Sequence, residues 1–125
     1  PSKDEQFDDS IVRRVISLVG KGKSAVIKST ILPGTTESIQ KENPDVYVFH
    51  SPEFLTMATA EYDAAHPTRN IIGCPKDTPE YKKRAKAILK VLPKAPYECV
   101  CSAREAEFIK YGGNIWFYFK YCFIF

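Results

Sequence analysis

Residues 26–36 read Val-Ile-Lys-Ser-Thr-Ile-Leu-Pro-Gly-Thr-Thr, and this stretch decides the fold class. An apolar run ends in two hydroxyl side chains, Ser29 and Thr30, and a Pro-Gly turn then leads into a helix start. Buried parallel strands present polar groups in this way at the carboxyl-end rim of an α/β sheet, where ligands bind. Residues 46–50 repeat the design and lead to Glu53. We therefore expect a hydroxyl pair and a carboxylate at one rim.

Segments with strand and helix patterns alternate along the chain. The predicted strands cover residues 25–29, 46–50, 70–73 and, at an edge, 97–101. The predicted helices are capped or begun by Ser10, by Thr35 or Thr36, by Pro79, and by the capping box Ser102 to Glu105. Such alternation predicts an α/β fold with a doubly wound parallel sheet.

Composition narrows the function classes. The net charge is +3 and the basic residues are interspersed with acids, so we expect no nucleic-acid partner. The four cysteines form no C-x-x-C pair and have no histidine at zinc-ligand spacing. We therefore expect no metal, and free thiols in a reducing cytoplasm. No signal peptide is expected at the charged start, and residues 115–125 are too short to span a membrane.

Four segments follow one another along the chain. They are Lys28-Ser29-Thr30 followed by Pro33-Gly34-Thr35; Ser51-Pro52-Glu53-Phe54-Leu55; the spaced set Ala60, Asp63, Pro67, Arg69 and Gly73; and Ala106 to Tyr111, closing with Asn114. Together they resemble the UDP-glucose/GDP-mannose dehydrogenase family.

The resemblance implies an NAD-dependent enzyme that oxidises the C6 hydroxyl of a nucleotide-activated hexose to the uronic acid, for polysaccharide precursors. It implies that residues 1–101 are the C-terminal half of a Rossmann-like NAD(P)-binding domain. Residues 102–125 would begin a long central helix through which the parent protein dimerises. The dinucleotide turn G-x-G-x-x-G and the family's nucleophilic cysteine segment are not in this sequence. We therefore expect a fragment that does not turn over substrate alone.

Lys110 and Asn114 are candidates for an oxyanion and substrate site. Positions i and i+4 share one helix face, so an ammonium and an amide can converge on one oxygen. By themselves these residues favour the plainer interpretation, a surface lysine and an amide poorly placed in a helix. The resemblance favours contact with the substrate and the developing alkoxide.

The segments after the first two predicted strands supply the other candidates. By the resemblance, Glu53 orients or activates the water that cleaves a thioester and, with Phe54 and Leu55, lines the substrate pocket. The alternative for Glu53 is a charge at a helix amino terminus. Thr30 would help to position water and would also contact the cofactor, and Ser29 would lie beside the nicotinamide ribose.

One position departs from the family pattern. Met57 stands where the family usually has a second glutamate that contacts NAD, and methionine is only a weak acceptor. His50 and His66 are isolated in the sequence, and we expect structural or solvated roles for them. The rival hypothesis is a non-catalytic module that binds nucleotide sugar or mediates dimerisation.

Overall fold

A computed structural model describes residues 8–54 and 57–109. Its elements in chain order are α1 (Ser10–Ser17), β1 (Ser24–Ile27), α2 (Thr35–Glu42), β2 (Tyr47–His50), a 3-10 turn (Met57–Thr59), α3 (Ala60–Ala65), β3 (Arg69–Cys74), α4 (Pro79–Val91) and β4 (Tyr97–Ser102). Residues 103–109 are helical and are called α5 here.

The four strands form one sheet in the order β1-β2-β3-β4. The pairs β1–β2 and β3–β4 are parallel, which agrees with the predicted α/β class. β2 and β3 are antiparallel, with His50 opposite Gly73, so the expectation of an all-parallel sheet is wrong at this pair. The connection from β2 to β3 contains the 3-10 turn and the six-residue α3.

Each face of the sheet carries its own core. Side chains alternate across a strand, so β1 and β2 send every second residue to each face. On one face Ile27 and Val48 pack in a cluster with Ile39 of α2. On the other face Phe49 packs in a cluster with Tyr81 of α4. Helices therefore cover both faces of the sheet, as the predicted doubly wound arrangement requires.

α1 differs from its prediction at its start. Ser10 is the first helical residue and not the cap, and its N–H donates to the Asp8 carboxylate at 2.9 Å. Of the apolar side chains of α1, Ile16 is buried, but Ile11 is 72% exposed and Val15 is 56% exposed. The helix therefore contributes only part of its apolar surface to the described core.

α5 lies unusually close to β3. A Cβ built on Gly73 would lie 2.6 Å from the Ala106 Cβ and 2.8 Å from the Ala103 Cα. The Ser102 hydroxyl accepts the N–H of Glu105 at 3.1 Å, which confirms the predicted helix start. The three small residues together set the depth at which α5 packs on the sheet.

α4 has one side buried against the sheet and one side in solvent. Tyr81 and Ala85 are buried, and Lys82, Lys83 and Lys86 face solvent.

Among the described residues, no helix has both the length and the apolarity needed to cross a membrane.

Candidate functional site

The segment after β1 begins the site. Its Pro-Gly pair forms a turn in which the Thr35 N–H donates to the Leu32 carbonyl at 3.1 Å. Gly34 has φ 92° and ψ −10°, the third-position geometry of a type II turn, which favours glycine there and proline before it. The turn sends the chain directly into α2. Ser29 and Thr30 remain exposed just before it.

Ser29 and Thr30 line a cavity of about 260 Å³. Its other described walls come from the chain before the turn and from the start of α1 (Asp8, Asp9, Ile11, Val12, Ile31, Leu32 and Thr35). The cavity therefore lies at the carboxyl end of β1, where α/β sheets bind ligands.

Glu53 lies at the end of the neighbouring strand. The Ser51 N–H donates to the Ile27 carbonyl at 2.9 Å, which continues the parallel pairing beyond β2 and fixes the start of this segment. Glu53 Oε1 is 3.5 Å from Lys28 Nζ, and the two side chains are 38% and 39% exposed. The Arg69 guanidinium lies 3.7 Å from the centroid of the Phe54 ring. These four side chains line one cavity at the rim.

The cavity beside Glu53 has a volume of about 40 Å³. One water molecule needs about 10–15 Å³, measured in the same way. Pockets that bind small-molecule ligands have volumes of about 300 Å³ or more. The described residues around Glu53 therefore leave room for a water molecule and not for a hexose.

The two predicted parts of the site share a rim but line different cavities. β1 and β2 are parallel with Ile27 opposite His50, so Thr30 and Glu53 follow strand ends at the same edge of the sheet. The described linings of the two cavities have no residue in common. Alternation along the chain explains this, because Lys28 lines the Glu53 cavity and the adjacent Ser29 lines the other.

Several predicted site residues lie outside the described part of the chain. They are Leu55, Lys110, Asn114 and the side chain of Met57. Their assigned roles therefore stay predictions.

Glu107 is a site-related residue whose structural role the sequence reasoning missed. Its side chain is fully buried. Oε1 accepts the Gly34 N–H at 2.8 Å, and Oε2 accepts both the Thr36 N–H at 3.0 Å and the Thr36 hydroxyl at 2.9 Å. A signal was present, because Ala103, Ala106 and Glu107 stand at i, i+3 and i+4 and so share one helix face. A carboxylate on the packed face needs buried donors, and α2 supplies them.

Comparison with known proteins identifies the family. Residues 2–92 match the model of the UDP-glucose/GDP-mannose dehydrogenase family, NAD binding domain. The chain belongs to this family. The match covers more than half of the chain and includes the β1 segment and the segment that carries Glu53.

Individual members of the family cover most of the chain. The Bacillus subtilis (strain 168) protein YtcA is 30% identical over 130 residues, 98% of this chain and 30% of YtcA. The UDP-glucose 6-dehydrogenase of Streptococcus pneumoniae is 40% identical over 84 residues, 64% of this chain and 21% of that enzyme. The structure of a UDP-glucose dehydrogenase from Pyrobaculum islandicum superposes with a TM-score of 0.70 at 30% identity, covering 93% of this chain and 29% of that one. The chain thus spans less than a third of the length of these relatives.

Cys74, which is buried, and Cys101, which is half-buried, are poor candidates for a catalytic nucleophile. Burial raises the pKa of Cys74 to about 11 and that of Cys101 to about 12. Both are free thiols, and at neutral pH they remain protonated. The reactive form of cysteine is the thiolate, so neither residue has the electrostatic setting of a catalytic cysteine.

The two histidines divide between the predicted roles. His50 is fully buried, with Nδ1 3.0 Å from the Ile27 carbonyl oxygen, and Nε2 has no hydrogen-bond partner among the described residues. Burial lowers the pKa of His50, and the charge of Glu107 opposes this shift. His66 is exposed and stacks on Tyr62 with 4.1 Å between ring centroids. His50 is therefore structural and His66 solvated.

Proposed function

We propose that this chain is part of an NAD-dependent nucleotide-sugar 6-dehydrogenase, an enzyme that oxidises the C6 hydroxyl of a nucleotide-activated hexose to a carboxylate. Family membership supports the reaction class. The observation that carries the proposal is the placement of Glu53, with a water-sized cavity beside it, at the rim that also bears Thr30. A carboxylate next to a space for water suits a hydrolytic step that follows an oxidation.

In this proposal Glu53 acts on the water that cleaves a thioester, the last step of the reaction. A general base must lie within hydrogen-bond reach of the proton that it removes, and a water in the 40 Å³ cavity would meet that requirement. Lys28 Nζ lies 3.5 Å from Glu53 Oε1, and its charge favours this position of the carboxylate. Phe54, held under Arg69, and Leu55 would face the substrate.

Ser29 and Thr30 would hold part of the cofactor. NAD⁺ would supply the hydride acceptor. Hydroxyl side chains fit the donors and acceptors of a ribose, and both residues line the 260 Å³ cavity at the carboxyl end of β1. That volume is close to the lower limit of small-ligand pockets, so this cavity suits one portion of a dinucleotide. Met57 belongs to the same proposed cofactor set.

Lys110 and Asn114 would stabilise the oxygen that develops negative charge. Both would also contact the substrate. We propose further that residues 1–101 and 102–125 divide into the second half of the NAD-binding domain and the start of a central helix. The parent protein would be a cytoplasmic homodimer joined through that helix.

The test uses the full-length protein that contains this chain. Purified protein is mixed with NAD⁺ and, in separate samples, UDP-glucose, UDP-N-acetylmannosamine and GDP-mannose. The proposal predicts that one sugar nucleotide gives two reduced cofactors per sugar and a carboxylate product. A stoichiometry of one would indicate a simple alcohol oxidation. Binding of a sugar nucleotide with no cofactor reduction would favour the non-catalytic module.

A further inference from the structure

The contacts of Glu107 join two distant parts of the chain. Its carboxylate receives three hydrogen bonds from Gly34 and Thr36, which are 71 to 73 residues away in sequence. A buried charge is costly unless it is fully hydrogen-bonded, so these bonds hold the carboxylate in one place. They also satisfy N–H groups in the first turn of α2, where the helix dipole favours a negative charge. α5 is thus fixed to the turn that follows β1.

The packing of α5 leaves little freedom around this link. Ala103 and Ala106 pack so closely on Gly73 of β3 that there is no room for a methyl group on Gly73. A second link, from Arg104 Nε to Glu37 Oε1 at 2.9 Å, joins α5 to α2 at the surface. Because Arg104 is 66% exposed, this ion pair contributes little. The buried Glu107 carboxylate is the stronger of the two links.

We propose that Glu107 is a positioning residue for the site, an inference that rests on the proposed function. Thr30 precedes Gly34 by four residues, and Lys110 follows Glu107 by three. One carboxylate therefore connects the segment that carries the proposed water-positioning threonine to the segment that leads to the proposed oxyanion lysine. Glu107 itself contacts neither substrate nor cofactor in this role. It sets the register between the two segments.

The central test is Glu107→Gln in the full-length protein that contains this chain. Glutamine keeps the shape, but it offers one acceptor oxygen and an NH₂ group where three donors converge. We expect kcat to fall by up to about 10²-fold, the effect of small misplacements in an active site, with a much smaller change in KM. The matched control is Glu105→Gln, an exposed glutamate of the same helix, which should leave both constants unchanged.

A second pair of variants changes Thr36, the donor side of the hydrogen bonds to Glu107. Thr36→Val removes the hydroxyl donor but keeps the backbone N–H, and Thr36→Ser keeps both. We expect Thr36→Val to lower kcat and Thr36→Ser to restore most of it. Amide hydrogen exchange at Gly34 and Thr36 should be faster in Glu107→Gln and unchanged in Glu105→Gln. This readout reports the link directly.

The outcomes separate this inference from the proposed function. A wild-type protein that oxidises no nucleotide sugar overturns both. An active wild type in which folded Glu107→Gln keeps the same kcat overturns the positioning role alone. If Glu107→Gln does not fold, the comparison of Thr36→Val with Thr36→Ser tests the inference instead. Equal kcat values for these two variants overturn it.

Discussion

Lys28 and Glu53 follow adjacent parallel strands and form an ion pair, with 3.5 Å between Nζ and Oε1. Each side chain is more than a third exposed, so the pair stabilises the fold by at most about 1 kcal/mol. Its consequence is geometric. The carboxylate lies at the rim of the sheet, between the Lys28 ammonium and the water-sized cavity that the proposed hydrolytic step requires.

Glu53→Gln in the full-length protein should slow cleavage of the thioester more than the first oxidation. Glutamine retains the shape of the side chain but lacks the basic oxygen, so an acyl-enzyme should accumulate. We expect a burst of reduced cofactor followed by turnover about 10²–10⁴-fold slower than wild type. Rapid-mixing absorbance measures both phases. The control is Glu61→Gln, at an exposed position of α3. If the steady-state rates of Glu53→Gln and Glu61→Gln agree within about twofold, the role assigned to Glu53 is wrong.

Lys110→Ala should lower kcat far more than it raises KM, because the ammonium would serve an oxygen whose charge grows in the transition state. Loss of one such donor is typically worth about 3–4 kcal/mol. Asn114→Ala should act on the same oxygen, so the double variant should lose less than the sum of the two single effects. Steady-state kinetics of the four proteins measure the coupling. Strict additivity would show that the side chains do not converge.

Local patterns in this sequence predicted most of the helices and strands. They did not predict features that depend on contacts between segments far apart in the chain. The type II turn at Gly34 and the start of α5 at Ser102 follow from short-range chemistry, and both were predictable. The antiparallel direction of β3 was not predicted, and neither was α3, which lies in the connection from β2 to β3. Strand direction is a property of the connection, and the apolar pattern of β3 does not report it.

The same distinction applies to the site. The motifs indicated Thr30 and Glu53 as rim residues, and the parallel pairing of β1 with β2 places both at that rim. The link from Glu107 to α2 spans more than 70 residues in sequence, so no local pattern names its partner. Helical spacing could have placed Glu107 on the packed face of α5. It could not have identified the donors at Gly34.

The free energy of unfolding of this chain should fall as the pH is lowered from 7.5 toward 5, partly because of His50. Burial lowers its pKa in the folded state below the ordinary 6.5, despite the opposing charge of Glu107. The unfolded chain then binds a proton that the folded chain does not, so stability present above pH 6.5 is lost below it. Urea unfolding at several pH values measures the slope.

Two substitutions isolate this histidine. His50→Leu should flatten the slope, because the buried titrating group is gone. His66→Gln, at an exposed position, should leave the slope as it is in the wild type. Equal slopes in wild type and His50→Leu would show that His50 does not couple folding to pH in this range.

Cys74 and Cys101 should react slowly with iodoacetamide in the folded chain. Burial raises their pKa values to about 11 and about 12, against 9.0 for an ordinary thiol, so the reactive thiolate is scarce at pH 8.5. The same chain in urea should be alkylated much faster at that pH. Mass spectrometry after trypsin separates the sites, with Cys74 in the peptide 70–76 and Cys101 resolved from Cys99 by fragment ions of 95–104. Equal rates in the folded and unfolded chain would contradict the prediction.

Gly73→Ala should destabilise the chain, because the new methyl group would lie 2.6 Å from the Ala106 Cβ and 2.8 Å from the Ala103 Cα. The second of these atoms is backbone, so α5 must move as a body to make room. Forced overpacking of this kind costs about 1–3 kcal/mol. Gly20→Ala is the matched control, since its methyl group would lie 3.4 Å from the flexible end of Lys23 and should change stability by less than about 0.5 kcal/mol. Urea unfolding of the two variants measures the difference, and equal midpoints would show that α5 does not pack on β3 at the depth seen here.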